Sequence, residues 1–183
     1  MEQIEDYRII KTKSAIKKSI ADLLEEKSFD QISISEIVKK AGITRKSFYN
    51  HYQDKYDFVE KYQKELAKEI HQLTKPYPLQ SKAFFYEIFS FLESKGKLLE
   101  GLLSSRGSLE IQEFLKDLMK QSILEAIKTT EMYSSRNENE VDILVVFLAN
   151  ATFGVVQYWI NSRKQIGPQE MALILENIFF NHT

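Results

Sequence analysis

Residues 33–55 read Ser33-Ile34-Ser35-Glu36-Ile37-Val38-Lys39-Lys40-Ala41-Gly42-Ile43-Thr44-Arg45-Lys46-Ser47-Phe48-Tyr49-Asn50-His51-Tyr52-Gln53-Asp54-Lys55. Ser33 followed three residues later by Glu36, just ahead of an apolar set, is a capping-box signature that opens a short helix. Gly42 ends that helix by supplying the left-handed residue that a sharp turn requires. Thr44 can cap a second short helix over residues 45–51, and Asp54 a third that carries Phe58, Val59, Tyr62, Leu66 and Ile70 down one stripe. Two short helices across a tight glycine turn predict a helix-turn-helix. Short helices are marginal alone. Support is expected from an amphipathic helix over 7–27, whose Ile16, Ile20, Leu23 and Leu24 fall on one face. Against it would pack Ile34, Ile37, Val38, Ile43 and Phe48.

Outward from this stretch the helical pattern continues. Helices are predicted over 83–92, 96–103 and 108–132, then 141–162 and 168–181, with the polar run 134–140 as a loop. Pro168 suits the first turn of the last helix, and no convincing strand is visible. The predicted fold is all-α with about nine helices, in two domains. Residues 1–70 form the helix-turn-helix domain, including a connecting helix over 55–70, and residues 71–183 a helical domain. The boundary rests on Lys75-Pro76-Tyr77-Pro78, because each proline disfavours helix in the residue before it.

Composition sets limits on function. The 183 residues are 43% hydrophobic and 28% charged with no cysteine, which excludes a disulfide framework, a thiol nucleophile and a thiolate metal site. A chain this long buries roughly 70% of its unfolded surface, enough for a core without staples. No apolar stretch is expected to approach the ~20 residues of a bilayer span. No secretory h-region is seen around Ile9-Ile10, so a cytoplasmic protein without membrane contact is expected. The net charge is −1, yet residues 36–55 carry Lys39, Lys40, Arg45, Lys46 and Lys55 against Glu36 and Asp54 alone. A basic island in an acidic chain is a footprint for nucleic acid, although a solvated helix face has the same composition. His51, His71 and His182 are too scattered for a metal site, and no catalytic constellation is present, so neither enzyme nor cofactor is expected.

The order Ala41-Gly42-Ile43-Thr44, then Phe48-Tyr49-Asn50-His51-Tyr52 and Asp54-Lys55, closely resembles the DNA-binding domain of the TetR family of transcriptional regulators. The resemblance is strong over residues 8–60. More weakly, Leu103-Ser104-Ser105-Arg106-Gly107 and the aromatic-rich 147–160 helix resemble a C-terminal domain common in Firmicutes members. It implies that Thr44 caps the recognition helix, that Arg45 and Ser47 face the major groove, and that Lys46 and Asn50 lie at its edge. Tyr49, His51 and Lys55 correspond to positions that grip phosphates, and Ser33 could add a phosphate bond. Phe48 and Tyr52 are core.

Nine of the twelve phenylalanines follow Lys75. An aromatic stripe is ordinarily core, but Phe84, Phe85, Phe89, Phe114 and Trp159 could line a site for a small apolar or aromatic ligand. The resemblance implies an effector bound among the middle helices. The 141–162 helix is apolar nearly all round and must be covered on several sides. The resemblance implies that it joins the last helix in a four-helix dimer interface, for which Ala151, Gly154, Val155, Tyr158, Ile174 and Ile178 are candidates. The expected function is a homodimeric repressor that binds a palindromic double-stranded operator and is released by a small effector. An activator of the same fold, or an α-helical protein-binding adaptor without DNA binding, shares most of these features.

Overall fold

A computed structural model of the chain describes residues 2–77, 81–128, 137–162 and 164–180. Expectations that fall on Pro78, on 129–136 and on 181–183 lie outside the described residues, as do the side chains of Phe179 and Phe180. Among the described residues there are eight α-helices and no strand: α1 (Glu2–Leu24), α2 (Ile34–Ala41), α3 (Arg45–Tyr49), α4 (Lys55–Thr74), α5 (Lys82–Leu103), α6 (Leu109–Lys128), α7 (Glu138–Asn161) and α8 (Pro168–Phe180). A 3-10 turn, Phe29–Gln31, links α1 to α2. The all-α expectation holds. The two helices expected over 83–92 and 96–103 are one element, α5, broken at Gly96, whose φ of 62° and ψ of −157° lie outside helical space.

The chain forms two compact units. The first combines residues 1–64 with 95–111, and the second 65–94 with 112–183. Helices α4, α5 and α6 therefore each contribute residues to both.

The core of the first unit contains Ile16, Ile20 and Leu23 of α1, with Phe29, Ile32, Ile37, Phe48 and Phe58. Ile34 and Ile43, expected in that core, are half-buried. The loop after α5 is tied back onto α5 by an N–H···O bond of 3.0 Å from Ser108 to Leu102. A Cβ at Gly107 would come within 1.9 Å of the Leu102 carbonyl oxygen, so only glycine fits there.

In the second unit Val141, Val145 and Ala149 of α7 cluster with Ile123 and Ile127 of α6. Trp159, also on α7, meets Phe89 edge-to-face at 5.0 Å, and its indole N–H donates to the Ile166 carbonyl at 2.6 Å. The other side of α7 is left uncovered by the described residues. Ile143 and Tyr158 are each 70% exposed and Phe147 65%. By length and composition α7 could also cross a bilayer, which corrects the expectation that no stretch approaches that length. Asn150, Thr152 and Gln157 interrupt its apolar run without adding charge.

Candidate nucleic-acid interface

Helix α2 starts where the sequence placed it. The Ser33 hydroxyl accepts the Glu36 backbone N–H at 3.3 Å, and the Glu36 carboxylate accepts the Ser33 N–H at 3.0 Å. Lys27 reaches the same carboxylate at 2.5 Å. These contacts, the lysine foremost, hold the Glu36 carboxyl down to about 2. The helix stops at Gly42, whose φ of 66° is left-handed, and the Ile43 N–H closes back onto Val38 O at 3.1 Å. Thr44 then caps α3 by accepting the Ser47 N–H at 3.0 Å. Two caps and one left-handed glycine thus set the angle between two helices too short to be stable alone.

An aromatic stack fixes α3 from below. Phe48 is fully buried and lies 5.6 Å from Tyr52, which meets Phe58 of α4 edge-to-face at 5.2 Å. Tyr49 leans edge-on against Phe48 at 5.7 Å and keeps 53% of its surface exposed. Thr44, Arg45, Lys46 and Asn50 are exposed beside it. The arrangement brings together on one short helix and its flanks an Arg and Lys for base edges or phosphates, a tyrosyl hydroxyl and an amide. Two of the expected readers already have partners. The Arg45 guanidinium donates to the Ser35 hydroxyl, and the half-buried Ser47 shares its hydroxyl with Thr44 at 2.9 Å. Ser33 is likewise engaged in its capping box. His51 is half-buried, and burial, followed by Lys13 and Lys61, lowers its pKa.

Lys55, for which the resemblance implies a phosphate contact, is engaged within the chain. Its ammonium donates to the carbonyls of Phe29 at 2.8 Å, Asp30 at 2.7 Å and Ile32 at 3.0 Å. An ammonium has three N–H donors, and all three are spent on the turn before α2.

One feature of the charge pattern escaped the sequence reading. Residues 7–21 hold Arg8, Lys11, Lys13, Lys17 and Lys18 with no carboxylate, a more one-sided run than 36–55. The Lys13 charge helps to lower the His51 pKa only because the fold brings the two near each other.

Two family models match the chain. One, described as bacterial regulatory proteins of the tetR family, covers residues 16–62, and the other, a transcriptional regulator C-terminal region, covers 80–181. The chain belongs to the TetR family of transcriptional regulators. Among curated proteins it is 26% identical over 175 residues to the uncharacterized HTH-type transcriptional regulator YxbF of Bacillus subtilis (strain 168), covering 91% of this chain and 44% of that one. It is 35% identical over 48 residues to the HTH-type dhaKLM operon transcriptional activator DhaS of Lactococcus lactis subsp. lactis (strain IL1403), covering 26% of each. The chain thus spans less than half the length of these curated relatives. Among solved structures, a TetR transcriptional regulator from Streptococcus agalactiae 2603V superposes with a TM-score of 0.72 at 17% identity, over 97% of this chain and 98% of that one. NalD, the secondary repressor of the MexAB-OprM multidrug efflux pump in Pseudomonas aeruginosa, does so at 0.71 and 21%, over 97% and 96%. At such identities these two show that the TetR-family fold is shared.

Proposed function

We propose that this TetR-family chain is a sequence-specific, homodimeric DNA-binding repressor that a small apolar or aromatic effector releases from a two-fold operator. The observation that carries the DNA reading is α3 itself, capped by Thr44 and anchored by Phe48, with Arg45, Lys46, Tyr49 and Asn50 left exposed. Arg45 leaves Ser35 to read a base edge, and Tyr49 contacts a phosphate. Thr44, Ser47, Ser33 and His51 border the same surface. A protein-binding adaptor has no use for so cationic a surface on a reading helix.

Dimerisation is supported by the uncovered face of α7, where Ile143, Val146, Phe147 and Tyr158 are exposed alongside Ala151 and Gly154. Leu173, Ile174 and Ile178 of α8 are exposed as well, while Val155 is half-buried. An apolar surface of this kind calls for a partner, and a second copy gives the operator its two-fold symmetry. For the effector, Phe84 and Phe114 are half-buried, whereas Phe85, Phe89 and Trp159 are buried. Activation remains the second reading, because DhaS, similar over the helix-turn-helix stretch, is named an activator.

Selection of bound duplexes from a random DNA pool tests the proposal. The expected product is a palindrome with half-sites about one helical turn, ~34 Å, apart or somewhat more. Enrichment of nothing above background overturns the DNA reading, and enrichment of single half-sites overturns the dimer.

A further inference from the structure

Lys55 sits at the first position of α4, 22 residues beyond the N-cap of α2 in sequence, yet its ammonium closes on the turn that immediately precedes that cap. The contact is built on every side. Two carbonyls of the 3-10 turn, Phe29 and Asp30, and that of the residue closing it, Ile32, converge on Nζ within 3.0 Å. The Phe29 ring lies 5.0 Å from Nζ and the Tyr56 ring 5.2 Å, and the two rings meet edge-to-face at 5.7 Å. The Phe29 carbonyl also accepts the Ile32 N–H at 3.1 Å, and carbonyls at the end of a helical turn carry partial negative charge, so a cation is favoured there. The turn is also held from its other end, where the Phe29 N–H donates to the Arg106 carbonyl at 3.0 Å in the loop between α5 and α6.

A residue gripping phosphate needs a donor free to meet it, and Lys55 has none to spare. Release toward DNA would strip three carbonyls of their charge-assisted partner at once. We infer that Lys55 is a positioning residue for operator reading that does not touch DNA: by clamping the Phe29–Ile32 turn to the start of α4, it fixes where Ser33 begins α2 and hence where α3 is presented. The inference rests on the proposed DNA binding. It assigns Lys55 a duty opposite to the phosphate contact implied by its place in the motif.

The two duties separate in the salt dependence of binding. Each phosphate contact contributes about 0.9 to the slope of log K against log salt. Lys55→Met, Lys55→Arg and wild type are titrated, well below their melting temperatures, against a duplex enriched from the random pool and against a scrambled duplex. For a clamp, Lys55→Met weakens binding to the enriched duplex by about tenfold, the scale of one lost charge-assisted hydrogen bond. Scrambled binding and the salt slope stay at wild-type values. Lys55→Arg does not restore affinity, because a planar guanidinium cannot point three donors at one site. A slope lowered by about 0.9 per subunit, or full rescue by arginine, overturns the inference.

A measurement on the wild type guards against variants that do not fold. An amine-acylating reagent should modify Lys55 slowly with and without the enriched duplex, while exposed Lys46 reacts quickly when DNA is absent. Lys55 modified as fast as Lys46 in free protein and protected by DNA overturns the clamp. Wild type that binds no duplex overturns the DNA reading and this inference together, whereas a fallen slope in a binding protein overturns this inference alone.

Discussion

Helices α3 and α7 are alike in what they bury and opposite in what they leave outside. Each sends aromatic or aliphatic side chains inward: Phe48 from α3, and Val145, Phe153 and Trp159 from α7. The outward face of α3 is Arg45, Lys46 and Tyr49, and that of α7 is Ile143, Phe147 and Tyr158. Water solvates the first face at no cost and the second only at the full hydrophobic penalty. The inner faces hold each unit together, and the outer faces state the chemistry of the partner. An anionic partner suits α3 and an apolar one suits α7.

The largest effects test the shared part of the comparison. Phe48→Ala and Trp159→Ala each empty a fully buried site and should cost ~3–5 kcal/mol, read as the fall in unfolding free energy in urea. Trp159→Ala additionally leaves the Ile166 carbonyl without its indole donor. A loss below ~1 kcal/mol at either site would mean that its inner face does not hold the unit.

The next effects test the difference. Phe147→Glu should leave the stability of the isolated chain within ~0.5 kcal/mol, as at other exposed sites. It should nevertheless cost several kcal/mol of association by placing an unpaired charge in an apolar contact. Sedimentation at micromolar concentration should show a dimer for wild type and a monomer for the variant. Gly154 sharpens the point. A Cβ there meets nothing within 4 Å, so Gly154→Ala should stabilise an isolated helix by up to ~1 kcal/mol. Weakened association of the same variant would locate the partner's helix against Gly154. On α3, Arg45→Ala should cost ~1–3 kcal/mol and relax preference at one operator position. Tyr49→Ala should weaken enriched and scrambled duplexes alike. Equal losses on both duplexes for Arg45→Ala would remove it from base reading.

The smallest effects concern the joints. Ser33→Ala and Thr44→Ala should each cost ~1 kcal/mol as lost caps, measured by thermal unfolding. The Glu36 carboxyl, held down to about 2 chiefly by Lys27 and then by Ser33, adds a pH dependence of known sign. Its contribution is present above the ordinary carboxylate range and is lost as pH falls from about 4.5 toward 2. Glu36→Gln should flatten the stability profile in that window and leave neutral pH almost unchanged in slope.

Much of the reading head was legible because its signals are local. A capping box, a left-handed glycine and an N-cap threonine act within four residues of themselves, and the backbone angles at Gly42 and the bonds at Ser33 and Thr44 are those the sequence implied. Illegible were the contacts that close over long separations. The Lys55 ammonium meets carbonyls 23 to 26 residues away, and no spacing rule announces it. The influence of the Lys13 charge on His51 likewise arises only through the fold.

By itself the sequence determined an all-α chain, the helix-turn-helix with its caps and its glycine turn, and a family, because periodicity and capping are properties of neighbouring residues; the second helix of the pair ends at Tyr49, short of the expected 51. Tertiary structure alone decided which side of the apolar helix α7 is buried. Val141 and Ile143 read the same in a sequence, yet Ile123 and Ile127 cover the side that carries Val141 and leave Ile143 bare. It also decided that the lysine at the head of α4 faces inward. The reason is common to both: hydrophobicity and charge belong to a residue, but whether they are satisfied depends on what the rest of the chain brings within a few ångströms.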